Sequence, residues 1–327
     1  MKDELSPRSR PSGGSSIFLW VLCALTASAA CAQSYPNRPV RFVTAAVGGG
    51  NDFGARLIAH GLTESLGQQV IVDNRGGAHV PQNLVSKATP DGYTILVQNN
   101  TVWVAPLLEK TAYDHFRELI PITLTARAPN ILVVHLSLPV NSVKDLIAAA
   151  KAAPGTINYA SGVVGSSNWI AAELFKALAG VNLVRIGYKG SGPALIDVMA
   201  GQVKIMFSTT TSSLGHVKSG KLKALAITSP QPSPLTPGLP TIAASGVPGY
   251  AADAIYGVWA PAKTPAAILT RLNQEIVKVL STQQVRDRFF STGAEVVAST
   301  PQVFAEEIKS ESARLDKVFK AAGIRAE

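Results

Sequence analysis

The chain has 327 residues, 46% hydrophobic and 16% charged, which excludes an intrinsically disordered protein and provides for one large or two medium domains. Its formal charge of +9 favours anionic partners. Lysine and arginine are scattered singly, without a basic run interleaved with aromatics, which argues against nucleic acid and for a field that steers small anions. Residues 1–32 read as a secretory signal peptide, in which Arg8 and Arg10 precede the apolar run Ile17 to Leu25 and small residues follow from Ala27 to Ala32. That run is too short for a membrane span, which needs roughly 18 to 20 apolar residues. Cleavage after Ala32 makes Gln33 the first mature residue; lipidation at Cys31 is the lesser alternative, because Ser28 stands where that signal prefers a larger aliphatic residue. Both cysteines, Cys23 and Cys31, lie in the leader, so the mature chain has neither a disulfide framework nor a thiolate metal site.

From Arg38 the pattern is a strand, Val40 to Ala45, then Gly48-Gly49-Gly50, then a helix over 52–66 that Gly67 ends. A strand from Gln69 to Asp73, a loop Asn74 to Ala78, a short helix near Pro81 to Ala88 and a strand Tyr93 to Gln98 complete a β-α-β-α-β opening, which predicts a parallel sheet covered by helices. Ile131 to His135 reads as a buried strand, and Ser142 heads a helix over Val143 to Ala153. Strand Ile157 to Ala160 leads through Ser161 to Asn168 into a helix ending at Gly180, and strand Leu183 to Tyr188 leads through Lys189 to Gly192 into a helix starting at Pro193. Strand Val203 to Phe207, a loop Ser208 to Ser213, a short helix to Gly220 and strand Ala224 to Thr228 follow. Residues 229–250 are rich in proline and glycine and read as an irregular connection. Ala254 to Ala260 is a strand, while Thr264-Pro265 and Thr300-Pro301 are helix starts bracketing a strand Glu295 to Ala298, and the chain ends helical to about Ala322.

Three consecutive glycines between a strand and a helix suit an anion, since the backbone can approach a ligand and the first helical turn offers free N–H groups. A dinucleotide fingerprint is the strongest rival, with Asp73 at the end of the second strand as its acid, but Phe53 stands where the third glycine belongs. Gly215 to Lys221 imitates a phosphate-binding loop, yet Leu222 replaces the hydroxyl that would meet magnesium. The five histidines are scattered and propose no triad, so no catalytic residue, metal or cofactor is expected. The remaining signal is a set of loops at carboxyl ends of strands, at 46–52, 74–80, 98–101, 161–168, 188–192 and 208–213, where open parallel sheets bind ligands. They hold glycines, hydroxyls and amides with few charges; Asp52 is an exception, and as a first-turn carboxylate it also suits the helix itself.

Read in order, Tyr35 to Arg41, the Gly49-Gly50-x-Asp52 loop, Asp73 to Gly77, Ala88 to Thr94, Pro154 to Ser161, Tyr188 to Ala194, Gly201 to Val203 and Ala321 to Arg325 resemble the motif series of the tripartite tricarboxylate transporter receptors, the Bug family of periplasmic solute-binding proteins. The resemblance covers nearly all of the mature chain and implies two Rossmann-like α/β domains joined by crossing strands, a type II periplasmic binding protein architecture. Domain 1 is then 33–130 plus 258–327 and domain 2 is 131–257, with crossing strands near Ile131 to His135 and Ala254 to Ala260. It also implies a monomer that closes like a hinge on a small organic carboxylate and delivers it to integral membrane transporter subunits. Ligand contacts are expected from Val47, Gly48, Gly49, Gly50, Asn51 and Asp52 on one jaw and from Gly165, Ser166, Ser167, Asn168 and Trp169 on the other, with Ser208 beside them. Trp169 and Ser208 depart from the family's usual histidine and aspartate, and with Val163 and Val164 they point to a monocarboxylate or aromatic carboxylate. The alternatives are an exported hydrolase using a hydroxyl such as Ser166 or Ser191, and a receptor serving a sensor.

Overall fold

A computed structural model of the chain describes Met1, residues 35–77 and residues 79–325. Apart from Met1, the leader with its cleavage and lipidation positions lies outside the described residues, as does Ala78. Met1–Asn37 forms one unit, in which the Tyr35–Pro36 bond is cis, and Arg38–Glu327 forms another.

The second unit is built on ten strands: β1 (Val40–Thr44), β2 (Val70–Asn74), β3 (Thr94–Gln98), β4 (Leu119–Val134), β5 (Asn158–Ser161), β6 (Val184–Gly187), β7 (Ile205–Thr209), β8 (Lys223–Ile227), β9 (Asp253–Pro261) and β10 (Glu295–Val296). Their order is β2-β1-β3-β9-β4-β7-β5-β6, with β8 and β10 also pairing with β4. Strands β2, β1 and β3 are parallel, as are β7, β5 and β6, as right-handed βαβ connections require. Between these groups β9 and β4 run antiparallel to each other, from Leu119 opposite Pro261 to Pro129 opposite Asp253.

Strand β4 changes partners along its length. Up to Pro129 it pairs with β9, and from Asn130 onward with β7 and β8. Asn130 is fully buried at that change, its N–H donating to Thr228 Oγ1 at 2.7 Å and its carbonyl accepting from Thr228 N–H at 2.9 Å. The sequence showed only the end of this strand, because Pro121 and Pro129 argue against a central strand. The structure accommodates Pro121 at a register shift, between the pairs Pro121–Trp259 and Thr123–Val258.

The helices are α1 (Gly50–Leu66), α2 (Val80–Ser86), α3 (Thr101–Leu108), α4 (Val143–Ala152), α5 (Ser167–Ala179), α6 (Ser191–Met199), α7 (Thr210–Lys218), α8 (Ala266–Ser281), α9 (Gln283–Ser291) and α10 (Pro301–Ala322). Two expected starts carry their caps, Ser142 accepting from Asp145 N–H and Thr300 from Val303 N–H. Helix α3 left no periodic trace because it is short and apolar along its length, with Val102, Trp103, Val104 and Ala105 all buried. The loop read over 208–213 is instead the end of β7 and the first turn of α7. Trp103, Trp259 and Phe304 form the aromatic centre of the core, with ring centroids 6.1 and 4.9 Å apart, and α8 returns to α1 where Val279 packs on Gly61.

Candidate functional site

The glycine turn after β1 is shaped by one carboxylate. Asp52 Oδ2 accepts the Gly48 N–H at 3.1 Å, which fixes a φ of +83° that glycine alone adopts at little cost. Asp52 Oδ1 accepts from Arg56 Nε and from Asn74 Nδ2, both at 2.8 Å, and the same Asn74 nitrogen lies 2.8 Å from the Ala45 carbonyl. Asp52 is thus buried among its own donors and holds the loop closed at both ends.

Behind that loop lies a partly open cavity of about 40 Å³, walled by Gly49, Gly50 and Asn51, by Gln82, by Gln98, Asn99 and Thr101, by Gly162, Val163 and Ser166, by Lys189 to Ser191, and by Thr209 and Tyr256. Five helices of at least two turns begin at this wall. Gly49 is the N-cap of α1, Asn99 and Thr101 flank that of α3, and Ser166, Gly190 and Thr209 are those of α5, α6 and α7. In none of the five does the N-cap side chain accept an N–H of the helix's first turn; two of the caps, Gly49 and Gly190, have no side chain. Each brings the partial positive charge of its first turn to the wall. Lys189 is the only charged side chain among the described residues of the wall. The arrangement is that of an anion site, and without a carboxylate at the wall nothing there repels one.

The wall is tight. Gly50 lies so close to the Tyr256 hydroxyl and Thr211 Oγ1 that a Cβ there would collide with both. Burial raises the Tyr256 phenol above its ordinary pKa, so it stays a neutral donor. Across the cavity, Ser166 Oγ donates to Asn168 Oδ1, which also accepts from Trp169 N–H at 3.0 Å, while Asn168 Nδ2 donates to Ser191 Oγ at 3.1 Å. Asn168 therefore ties the α5 loop to the start of α6.

The loop after β1 and the loop after β6 meet above the cavity. A Cβ on Gly192 would collide with the Val47 carbonyl oxygen, one on Gly190 would lie 2.8 Å from Ala46 Cβ, and Gly77 N–H donates to the Lys189 carbonyl at 3.1 Å. Side chains in place of these glycines would hold the two loops apart.

Of the residues singled out in the sequence, Gly49, Gly50, Asn51 and Ser166 line the cavity. Val47 and Gly48 lie outside it, on a surface hollow with Gly192 and Ile196, and Val47 is 60% exposed. Gly165 packs on the Ala105 backbone, and Ser167 Oγ donates to Asn130 Oδ1 at 3.4 Å. Ser208 is buried in β7 opposite Ile131. Trp169 is a core side chain, 1% exposed and edge-on to Phe319 at 6.3 Å, so the preference for an aromatic ligand drawn from it loses its support. Sequence reasoning marked the loops at 98–101 and 188–192 but did not single out Gln82, Gln98, Thr101 or Tyr256, and it named Ser191 only as a hydroxyl for the hydrolase alternative. Helix starts after strands were the available signal for most of them; Tyr256, in mid-strand, gave none.

Residues 54–324 match the family described as Tripartite tricarboxylate transporter family receptor. Protein BugT of Bordetella pertussis is 33% identical over 315 residues, spanning 94% of this chain and 97% of that relative. Among solved structures, R. palustris Rpa4515 with adipate superposes with a TM-score of 0.86 at 35% identity, covering 89% of this chain and 99% of that one. MatC from Rhodopseudomonas palustris with bound malate gives a TM-score of 0.84 at 29% identity, covering 87% and 99%. With a family match over 54–324 and a relative 33% identical across 94% of its length, the chain belongs to the tripartite tricarboxylate transporter receptor family of periplasmic solute-binding proteins.

Proposed function

We propose that the chain binds a small organic carboxylate in the cavity behind the Gly48–Gly50 turn and presents it to integral membrane subunits of a tripartite tricarboxylate-type transporter. The observation that carries this reading is the meeting of five helix N-termini at a wall whose one charged side chain among the described residues is Lys189. Adipate and malate in the two neighbouring structures belong to the same chemical class. Among the described residues of the second unit, the two lobes are 38–130 with 258–325, and 131–257, crossing along β4 and β9. Contact between the loops at Val47 and Gly192 is then the closed arrangement of a hinge. The leader sends the chain to the periplasm, and no helix among the described residues is long and apolar enough to cross a membrane.

The test is thermal unfolding of refolded, ligand-free protein across a broad carboxylate library. A cognate acid at a hundred times its dissociation constant should add about 2.7 kcal/mol of stability. If no acid in a broad library shifts the transition, the chain is not a carboxylate receptor.

A further inference from the structure

Two amide side chains at the cavity wall leave polar atoms without partners. Asn51 and Gln82 both line the cavity and are 9% and 1% exposed, yet Asn51 Oδ1 and both Gln82 amide atoms, Nε2 and Oε1, are buried with no hydrogen bond. Such atoms are rare because each forfeits its solvation.

The orientation of Asn51 is fixed by its neighbours. The backbone N–H of Asn99 can only donate, so the Gln98 side-chain atom 3.1 Å from it is the oxygen. That same oxygen meets the Asn51 amide, which must therefore present its nitrogen. Turning Asn51 over would set two oxygens against each other. Asn51 Oδ1 is thus held at the wall as an acceptor awaiting a donor. Gln82, whichever way its amide is turned, offers one more acceptor and one donor.

An ionised carboxylate accepts only, so it leaves both acceptors unmet. An ammonium group would donate, but the wall carries no carboxylate to balance it, and Lys189 with the helix N-termini opposes it. A hydroxyl donates, accepts and adds no charge. We propose that Asn51 and Gln82 select a carboxylate that also carries a hydroxyl group, the carboxylate against the helix N-termini and the hydroxyl against the two amides. This rests on the carboxylate-receptor reading above. Its rival is water, which also donates and accepts and of which a cavity of about 40 Å³ holds a few.

Calorimetry on the refolded full chain with matched trios separates them: propionate, lactate and alanine; succinate, malate and aspartate; glutarate, 2-hydroxyglutarate and glutamate. In the trio that binds best, the hydroxy acid should bind at least about tenfold tighter than the unsubstituted acid, with the amino acid weakest. In Gln82→Leu, with folding checked by thermal unfolding, the ratio of the two affinities should fall to within about threefold, and a ratio that stays near tenfold would overturn the proposal. Equal affinities for hydroxy and unsubstituted acids in the wild type would show that water serves the amides and overturn the proposal, leaving the receptor reading intact. Tighter binding of the amino acids would overturn it in favour of an ammonium group. Silence of all nine acids overturns it too, and the receptor reading falls with it only if the broad library is also silent.

Discussion

Asp52 is the residue on which the cavity's first loop depends, though it does not line the cavity. Its side chain is 7% exposed while Arg56 is 54% exposed, so the ion pair between them is screened and contributes little. The larger share comes from the Gly48 N–H, which would otherwise be left without an acceptor, and from the Asn74 amide, which would keep only the Ala45 carbonyl. Asp52→Asn should therefore cost about 1–3 kcal/mol, read from urea unfolding, and should weaken ligand binding through the loosened turn. A loss no larger than that of Arg56→Ala would mean that the ion pair was the main contact. Asp52 was visible in the sequence as a first-turn acid. Its partner Asn74 was not singled out, because that bond joins the first turn of α1 to the end of β2, 22 residues apart, and no local periodicity reports it.

At the scale of elements, the two loops that meet over the cavity do so through glycines chosen for closeness. Gly192→Val would drive a side chain into the Val47 carbonyl and part the loops. The ligand-free protein should keep its melting temperature within a few degrees, while affinity for the best carboxylate falls at least tenfold and small-angle scattering reports a larger radius of gyration. Unchanged scattering with unchanged affinity would show that closure does not need this contact. The strand-glycine-helix units around the site were legible because each carries a local signature, as at Val40–Leu66 and Asn158–Ala179. The spine of the fold was not. Strand β4 disguises itself with Pro121 and Pro129, and its pairing with β9 is settled only by packing of distant segments. The break between α8 and α9 at Thr282 was hidden in the same way, since the helical pattern runs on after it.

For the molecule as a whole, two half-buried groups give opposing responses to acid. Asp253, where β9 begins, has a carboxyl pushed up to about 6 by burial, partly offset by the charge of Arg127. The folded protein therefore holds that proton more tightly than the unfolded chain, and the stability it adds is full below the unfolded value of 3.8 and lost as pH rises through about 6. His115 is lowered to about 4 by burial, so its contribution is full above 6.5 and lost as pH falls through about 4. Over pH 4 to 6 the two slopes oppose each other. Asp253→Asn should unmask a stability that rises with pH across that window and should stabilise the protein at pH 8 by on the order of 1–3 kcal/mol in denaturant titrations. A variant curve parallel to the wild type would mean that Asp253 titrates normally. The order of the strands has one more consequence. Leu96 of β3 pairs with Trp259 of β9, so the first strand group lacks a neighbour until more than three quarters of the chain has been made. Such separation in sequence slows folding, and an N-terminal fragment has no closed sheet to settle into. For most of its synthesis the protein therefore carries β3 as an open edge, the kind of surface on which a second chain can add a strand before β9 arrives to cover it.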